Sequence, residues 1–291
     1  MASLKDVRLK ISGVKKTKQI TKAMNMVASA KLRGAQQRIE RFRPYAQKFF
    51  DILSDLGGRA EEAAHPLLAA RAEVKTVGIV IATSDRGLCG SFNINIINAA
   101  LKIATEKANE GKALKFYCVG KKARDAVRKI GHDIALALVG QMNTFDFQLA
   151  AATGQRIMDD FLSGEIDEVT MVYGEFVSLA KQVPLSLPLL PIASVGKDEH
   201  AEGRAKDYIY EPTVKGLLAE LLPRFVKVQV YRGLLDTSAS EHAARMIAMD
   251  NATKNCDDMT ASLTLLYNKT RQAAITKDLM DIVGGVEALK G

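Results

Sequence analysis

Both ends of this 291-residue chain carry apolar residues at alternating intervals of three and four. That pattern constrains the fold more than any other feature, because it marks the buried seam of a coiled coil. The first run reads Ile20, Met24, Val27, Ala28, Leu32, Ala35, Ile39, Phe42, Ala46, Phe49, Leu53 and Leu56. Leu4, Val7, Ile11 and Val14 precede it with the same steps, and the polar stretch Lys15–Gln19 is expected to interrupt the seam. The second run reads Met249, Ala252, Cys256, Met259, Leu263, Leu266, Thr270 and Ala273. Ser3, followed three residues on by Asp6, is placed to cap the first helix. Pro44 should kink or break that helix, and Gly57-Gly58 should end it. The first helix would span roughly 80 Å and the last, over 213–289, roughly 115 Å, with bends at Pro223 and Gly233. Helices this long must project or pair. The economical solution pairs them antiparallel with each other and folds the middle as an insertion between them. Pairing between two copies of the chain is the alternative.

Charge adds a direction. The chain carries +8, yet residues 1–58 alone hold thirteen Lys and Arg against Asp6, Glu40, Asp51 and Asp55, an excess of nine. The rest of the chain is therefore close to neutral. A basic block of this kind asks for an acidic partner: nucleic acid, anionic lipid or an acidic protein surface.

The middle alternates strands and helices. Strands are expected at Val74–Thr83, Leu114–Gly120 and Ile166–Ser178, and helices at Phe92–Asn109, Lys121–Ile130 and Phe145–Leu162. Such alternation predicts a parallel sheet, hence a Rossmann-like α/β domain. Residues 184–212 hold Pro184, Pro188, Pro191 and Pro212 and read as a connector, with one edge strand near Tyr208-Ile209-Tyr210. The predicted fold is thus α/β: an antiparallel coiled coil of N-terminal (1–58) and C-terminal (212–291) helices with the inserted domain at 74–195.

Little in the sequence supplies chemistry. Cys89, Cys118 and Cys256 are far apart, and His65, His132, His200 and His242 form no metal-ligand spacing, so no metal, cofactor or catalytic set is expected. Trp is absent and aromatics make up 6%, which argues against large stacking platforms. No apolar run approaches the length of a membrane span, and the N-terminus lacks an apolar signal core, so the chain is expected on the cytoplasmic side. The loop Ser84–Asn93 follows the first strand and opens a helix, the position of a phosphate-binding loop. It has only Gly87 and Gly90, and no complete glycine fingerprint. A tight loop with Ser91 or Asn93 capping the next helix explains it as well. Cys89 sits where a helix start could lower a thiol pKa, with no histidine or second cysteine in support.

Three stretches then carry a resemblance. Ile20-Thr21-Lys22-Ala23-Met24-Asn25-Met26-Val27-Ala28, followed by Lys31-Leu32, resembles the opening helix of the gamma subunit of F-type ATP synthase. Ser84-Asp85-Arg86-Gly87-Leu88-Cys89-Gly90 is similar to that family's central loop. Ser240–Met246 and Leu266–Thr276 are similar to its final helix. The resemblance covers essentially the whole chain, with the motifs in order. Asp278 stands where the family usually has Glu, and Val286 where it usually has Ala. The regulatory cysteine pair of the chloroplast type is not present.

The resemblance implies a shaft that turns inside a hexamer of alpha and beta subunits and stands on a membrane rotor ring, with catalysis confined to beta. It implies partners in alpha, beta, epsilon and the c-ring, with an inhibitory subunit as a further candidate. Met24, Arg86, Gly87, Leu88, Cys89, Gly90, Arg271 and Gln272 would contact beta. Tyr208, Tyr210 and Glu211 would form the foot near epsilon and the rotor ring. Ile282, Val283, Val286 and Leu289 would turn in an apolar bearing. The location implied is peripheral, on the cytoplasmic face of a bacterial inner membrane. Two other readings compete on the residues alone: a nucleotide-binding α/β enzyme using Ser84–Asn93, and a basic coiled-coil nucleic-acid binder.

Overall fold

The computed structural model describes residues 3–57, 65–192 and 214–288. They form two compact units, one of residues 29–245 and one of residues 1–28 with 246–291. Ten elements run in the order α1 (Leu4–Gly57), β1 (Thr76–Ala82), α2 (Phe92–Asn109), β2 (Ala113–Val119), α3 (Lys121–Ile130), β3 (Ile134–Leu138), α4 (Phe147–Leu162), β4 (Glu168–Phe176), β5 (Gln182–Leu190) and α5 (Val214–Ala288). The first and last helices contribute to both units.

The larger unit is built on a five-stranded sheet of order β3-β2-β1-β4-β5. Strands β1 to β4 are parallel and β5 pairs antiparallel with β4. Alternation along each strand sends side chains to two cores. Val80, Ala82, Tyr117, Val119, Met171 and Tyr173 face one core with α4, Phe49 and Leu53 of α1, and Leu222, Val226, Val230 and Leu234 of α5. Val77, Ile79, Ile81, Phe116, Cys118 and Val172 face the other, with α2 and α3. Each fully buried Ile or Val contributes roughly 1.5–3 kcal/mol, so the helix termini are fastened to the sheet by many such contacts. The expected α2 and α3 bounds match, and α4 starts two residues later, where the Asp146 carboxylate accepts from the N–H groups of Gln148 and Leu149.

Two strands were not foreseen. β3 is a short edge strand, and β5 occupies part of the proline-rich connector. Pro184 and Pro188 are four residues apart, so both missing N–H groups lie on the same side of β5. An edge strand tolerates this because it has an outer side that needs no ladder bond. The edge strand expected near Tyr208 lies outside the described residues. The helix α1 also continues through Pro44, and α5 through Pro223 and Gly233. Each proline removes one helical bond without ending the helix, because packing of the flanking turns outweighs that loss.

In the smaller unit the ends of α1 and α5 pair antiparallel, and the start of α1 carries the expected cap. Ser3 N–H donates to Asp6 Oδ2 and Asp6 N–H to Ser3 Oγ, both at 3.2 Å. The seam differs from expectation. Ile20 and Val27 are 60% and 57% exposed, whereas Thr21 is buried and Asn25 half-buried. The inward residues Leu4, Val7, Ile11, Val14, Lys18, Thr21, Asn25 and Ala28 keep the three-four rhythm through the polar stretch. On α5 the inward set is Met249, Ala252, Thr253, Cys256, Thr260, Leu263, Tyr267, Thr270 and Ala274, so Met259, Leu266 and Ala273 are not seam residues. Reading only apolar residues pulled the phase one position off, because this stretch of seam is polar by design of its contacts. Lys18 Nζ pairs with Asp257, Thr21 Oγ1 lies 2.8 Å from Thr253 Oγ1, and Asn25 Nδ2 donates to the Met246 carbonyl at 2.8 Å.

Candidate functional site

The loop after β1 sits at the carboxyl end of the sheet, where β1 lies between β2 and β4. Open α/β sheets place their ligands there. Its own polar groups, however, are turned inward. Asn93 does not cap α2: its Oδ1 accepts from Ser84 N–H at 3.0 Å, and its Nδ2 donates to Ser84 Oγ at 2.8 Å and to the Arg86 carbonyl at 3.3 Å. Ser91, at the N-cap, makes no side-chain cap bond either. Asp85 ties the loop to two other segments. Its Oδ1 accepts from Lys121 N–H and Gly140 N–H, both at 2.9 Å, and its Oδ2 from Met142 N–H at 3.1 Å. Beneath it, Thr83 Oγ1 accepts from Ala123 N–H at 2.9 Å. Gly120 has φ +103, and a Cβ there would fall 2.2 Å from the Thr83 carbonyl oxygen, so only glycine fits.

The result is a stiff knot that projects one apolar side chain. Leu88 has φ +62 and is 63% exposed. A non-glycine residue in the left-handed region costs about 1–2 kcal/mol and persists only where its surroundings hold it. Arg86 and Gly90 are also exposed, while Cys89 is buried and burial pushes its thiol up. It is therefore no activated nucleophile, and the same holds for Cys118, pushed up to about 12 by burial. A phosphate cradle needs free backbone N–H groups and no carboxylate beside them. Asp85 sets a carboxylate at this position and already binds the N–H groups of Lys121, Gly140 and Met142, and Asn93 takes the Ser84 N–H, so the nucleotide-enzyme reading is not favoured.

Helix α5 braces the loop from the other side. Arg245 Nη2 donates to the Gly87 carbonyl at 3.1 Å and pairs with Glu241 Oε1 at 2.8 Å, both side chains being buried. Burial raises the Glu241 pKa against the pull of Arg245. His242 beside it is buried, with no hydrogen-bond partner for Nδ1 among the described residues. Burial, then Arg245, Lys31 and Arg38, lower its pKa to about 4. Among the described residues no group of His, Cys, Asp or Glu is arranged to hold a metal.

The remaining expected contact residues lie apart from this loop in sequence and in unit. Met24 is half-buried, and Arg271 and Gln272 are exposed on the smaller unit. The Lys18–Asp257 and Thr21–Thr253 pairs set an antiparallel register in which Leu4 meets α5 near Thr270. Met24 therefore stands roughly 30 Å along the pair from Arg271. Beyond that point α5 runs on for roughly 25 Å to Ala288 with no described residue of α1 beside it. Ile282, Val283 and Val286 are exposed on it, together with Ile275, Leu279 and Met280. Leu289, Tyr208, Tyr210 and Glu211 lie outside the described residues. Sequence reasoning missed Asp85, Asn93, Glu241 and Arg245. Only Asp85 and Asn93 carried a signal, as short polar side chains flanking a strand–helix turn.

Comparison with known proteins decides the family. A family model described as ATP synthase matches residues 3–289. An ATP synthase gamma chain of Nitratidesulfovibrio vulgaris is 70% identical over 291 residues, covering all of both chains. The chain belongs to the ATP synthase gamma chain family. Another member, from Maridesulfovibrio salexigens, is 67% identical over 292 residues, again with full coverage of both. Among solved structures, the central stalk and c-ring of the Tetrahymena thermophila mitochondrial ATP synthase contains a chain 27% identical, with a TM-score of 0.60. The match covers 80% of this chain and 99% of that one. A chain of the Euglena gracilis mitochondrial ATP synthase rotor shares the fold with a TM-score of 0.64 at 23% identity, covering 94% and 98%. Among the described residues no helix is long and apolar enough to cross a membrane.

Proposed function

We propose that this chain is the central rotor shaft of an F-type ATP synthase. It turns inside the alpha/beta hexamer and couples proton flow to ATP synthesis or hydrolysis at beta, carrying no catalytic residue of its own. The observation that carries the reading is the antiparallel pairing of the two chain ends, with a polar seam fixed by Lys18–Asp257 and Thr21–Thr253, in a chain 70% identical to a gamma chain along its whole length. A torque element must be long, stiff and asymmetric. Paired helices supply stiffness, and the basic excess of residues 1–58 supplies attraction to acidic loops without locking, since exposed ion pairs are worth only about 0–1 kcal/mol each.

Within that reading the chain works in three segments: helix 1–58, domain 74–195 and helix 212–291. Met24, the Arg86–Gly90 loop, and Arg271 with Gln272 meet beta. Tyr208, Tyr210 and Glu211 stand at the foot, against epsilon and the c-ring. Ile282, Val283, Val286 and Leu289 turn in an apolar bearing; the exposure of the first three near the end of α5 supports this. The chain is peripheral, on the cytoplasmic face of a bacterial inner membrane. Co-purification tests the proposal. A tagged chain expressed with its own alpha, beta and epsilon subunits should bring all three down in a complex that hydrolyses ATP, whereas the isolated chain should hydrolyse none. Recovery of the chain alone would contradict it.

A further inference from the structure

We infer that the cleft between α1, the end of β4 and α5 is a binding site for a small organic ammonium with an aromatic body, an arylalkylamine in chemical class. The inference stands apart from the rotor reading. The cleft lies within the larger unit and encloses about 510 Å³, a size that holds small molecules. Phe42 and Phe50 of α1, Phe176 of β4 and Leu235 of α5 line it. Two of these rings are already fixed in place. Phe42 stands edge-on to Tyr231 with centroids 4.9 Å apart, and Phe50 edge-on to Phe225 at 5.2 Å. The aromatic walls therefore need little rearrangement to receive a ring.

The charges of the cleft select the sign of its occupant. Glu175 and Asp236 are half-buried, whereas Arg43, Asp51 and Arg232 are exposed. Among the described residues the carboxylates of Glu175 and Asp236 make no ion pair and accept no hydrogen bond. Burial pushes the Asp236 carboxyl up to about 6 against the pull of Arg232 and Arg43, and Glu175 adds to the rise. Tyr173 beside it stays neutral, its hydroxyl pushed up to about 12 by burial first and then by Asp236. A half-buried carboxylate without a partner, next to rings whose faces attract cations, favours an ammonium group. Water serves the two exposed guanidinium groups, so an anion gains less here. A bare metal ion fits less well, because the walls are apolar and, among the described residues, no acids are arranged to hold one.

The test uses the full chain and three probes of one shape: tryptamine, the neutral tryptophol and the anionic indole-3-propionate. The chain has no Trp, so the indole emission of each probe reports its binding by fluorescence anisotropy. Tryptamine should bind with a Kd below about 1 mM near pH 7.5, and tryptophol about tenfold more weakly. The tryptamine advantage should disappear toward about pH 5, as Asp236 takes up a proton and loses its charge. Asp236→Asn removes an unpaired charge, so the fold should hold. It should bring tryptamine down to the affinity of tryptophol at every pH and leave tryptophol unchanged. Ala46→Phe, which fills the cleft, should abolish binding of both. Equal affinity for tryptamine and tryptophol in the wild type, tighter binding of indole-3-propionate, or an unchanged tryptamine affinity in either variant would overturn the inference. So would an absence of tryptamine binding to the wild type. Each of these results leaves the rotor reading standing.

Discussion

Replacing Asp85 should loosen the loop before it unfolds the domain, and the size of the effect follows from its three bonds. The carboxylate accepts from Lys121, Gly140 and Met142 N–H at 2.9, 2.9 and 3.1 Å. Lys121 and Gly140 are exposed residues, so water can replace those two bonds at about 1 kcal/mol each. Met142 is buried, and its stranded N–H costs about 2 kcal/mol more. Asp85→Ala should therefore lose about 4 kcal/mol. Asp85→Asn should lose about 2, because its Oδ1 still serves two donors while its amide faces the third. Urea unfolding followed by circular dichroism reads the totals, and amide exchange reads the location. Exchange at Leu88–Gly90 and at 140–142 should speed up far more than exchange in β1. A loss under 1 kcal/mol for Asp85→Ala, or a loss with exchange raised evenly across the sheet, would refute the reasoning.

Three further outcomes follow from the same contacts. Thr21 and Thr253 hydroxyls each also reach a carbonyl on their own helix, Lys18 at 3.0 Å and Met249 at 2.8 Å; single Val substitutions should cost about 0.5–1.5 kcal/mol and the double substitution close to nothing, a coupling that a double-mutant cycle in urea measures and that strict additivity would refute. His242 protonates near pH 4 in the fold against 6.5 in the unfolded chain, so the unfolded chain binds more protons between those values. The contribution is complete above pH 6.5 and is lost as pH falls toward 4, by about 3 kcal/mol relative to His242→Gln in urea melts at both ends of that range. Gly120→Ala should cost more than about 3 kcal/mol, whereas Gly111→Ala, with φ +78 but open space around it, should cost about 1; similar melting temperatures for the two would contradict the close approach to Thr83.

Much of this architecture was legible because long periodic helices and a buried parallel sheet leave strong patterns. The bounds of α2 and α3, the Ser3–Asp6 cap and the two terminal helices all followed from spacing. What failed has a physical cause in each case. The seam runs through Lys18, Thr21 and Asn25, whose polar side chains are satisfied by α5 partners more than two hundred residues away. An apolar template cannot find them and settles on Ile20 and Val27 instead. β5 hid behind Pro184 and Pro188, which break a strand only if it must donate on both sides. β3 was too short to separate from the turns around it. The loop was found by its position, but its stiffness was not, because Asp85 is held by groups at 121, 140 and 142 that only the sheet brings together.

The most direct measurement of the central claim is rotation. Alpha and beta subunits are fixed to a surface with this chain assembled among them, and a bead on the central α/β domain is followed as ATP is added. The account predicts unidirectional turning in three equal steps per revolution, stopping when beta is inhibited. A bead that stays still while the same complexes hydrolyse ATP at full rate would contradict it.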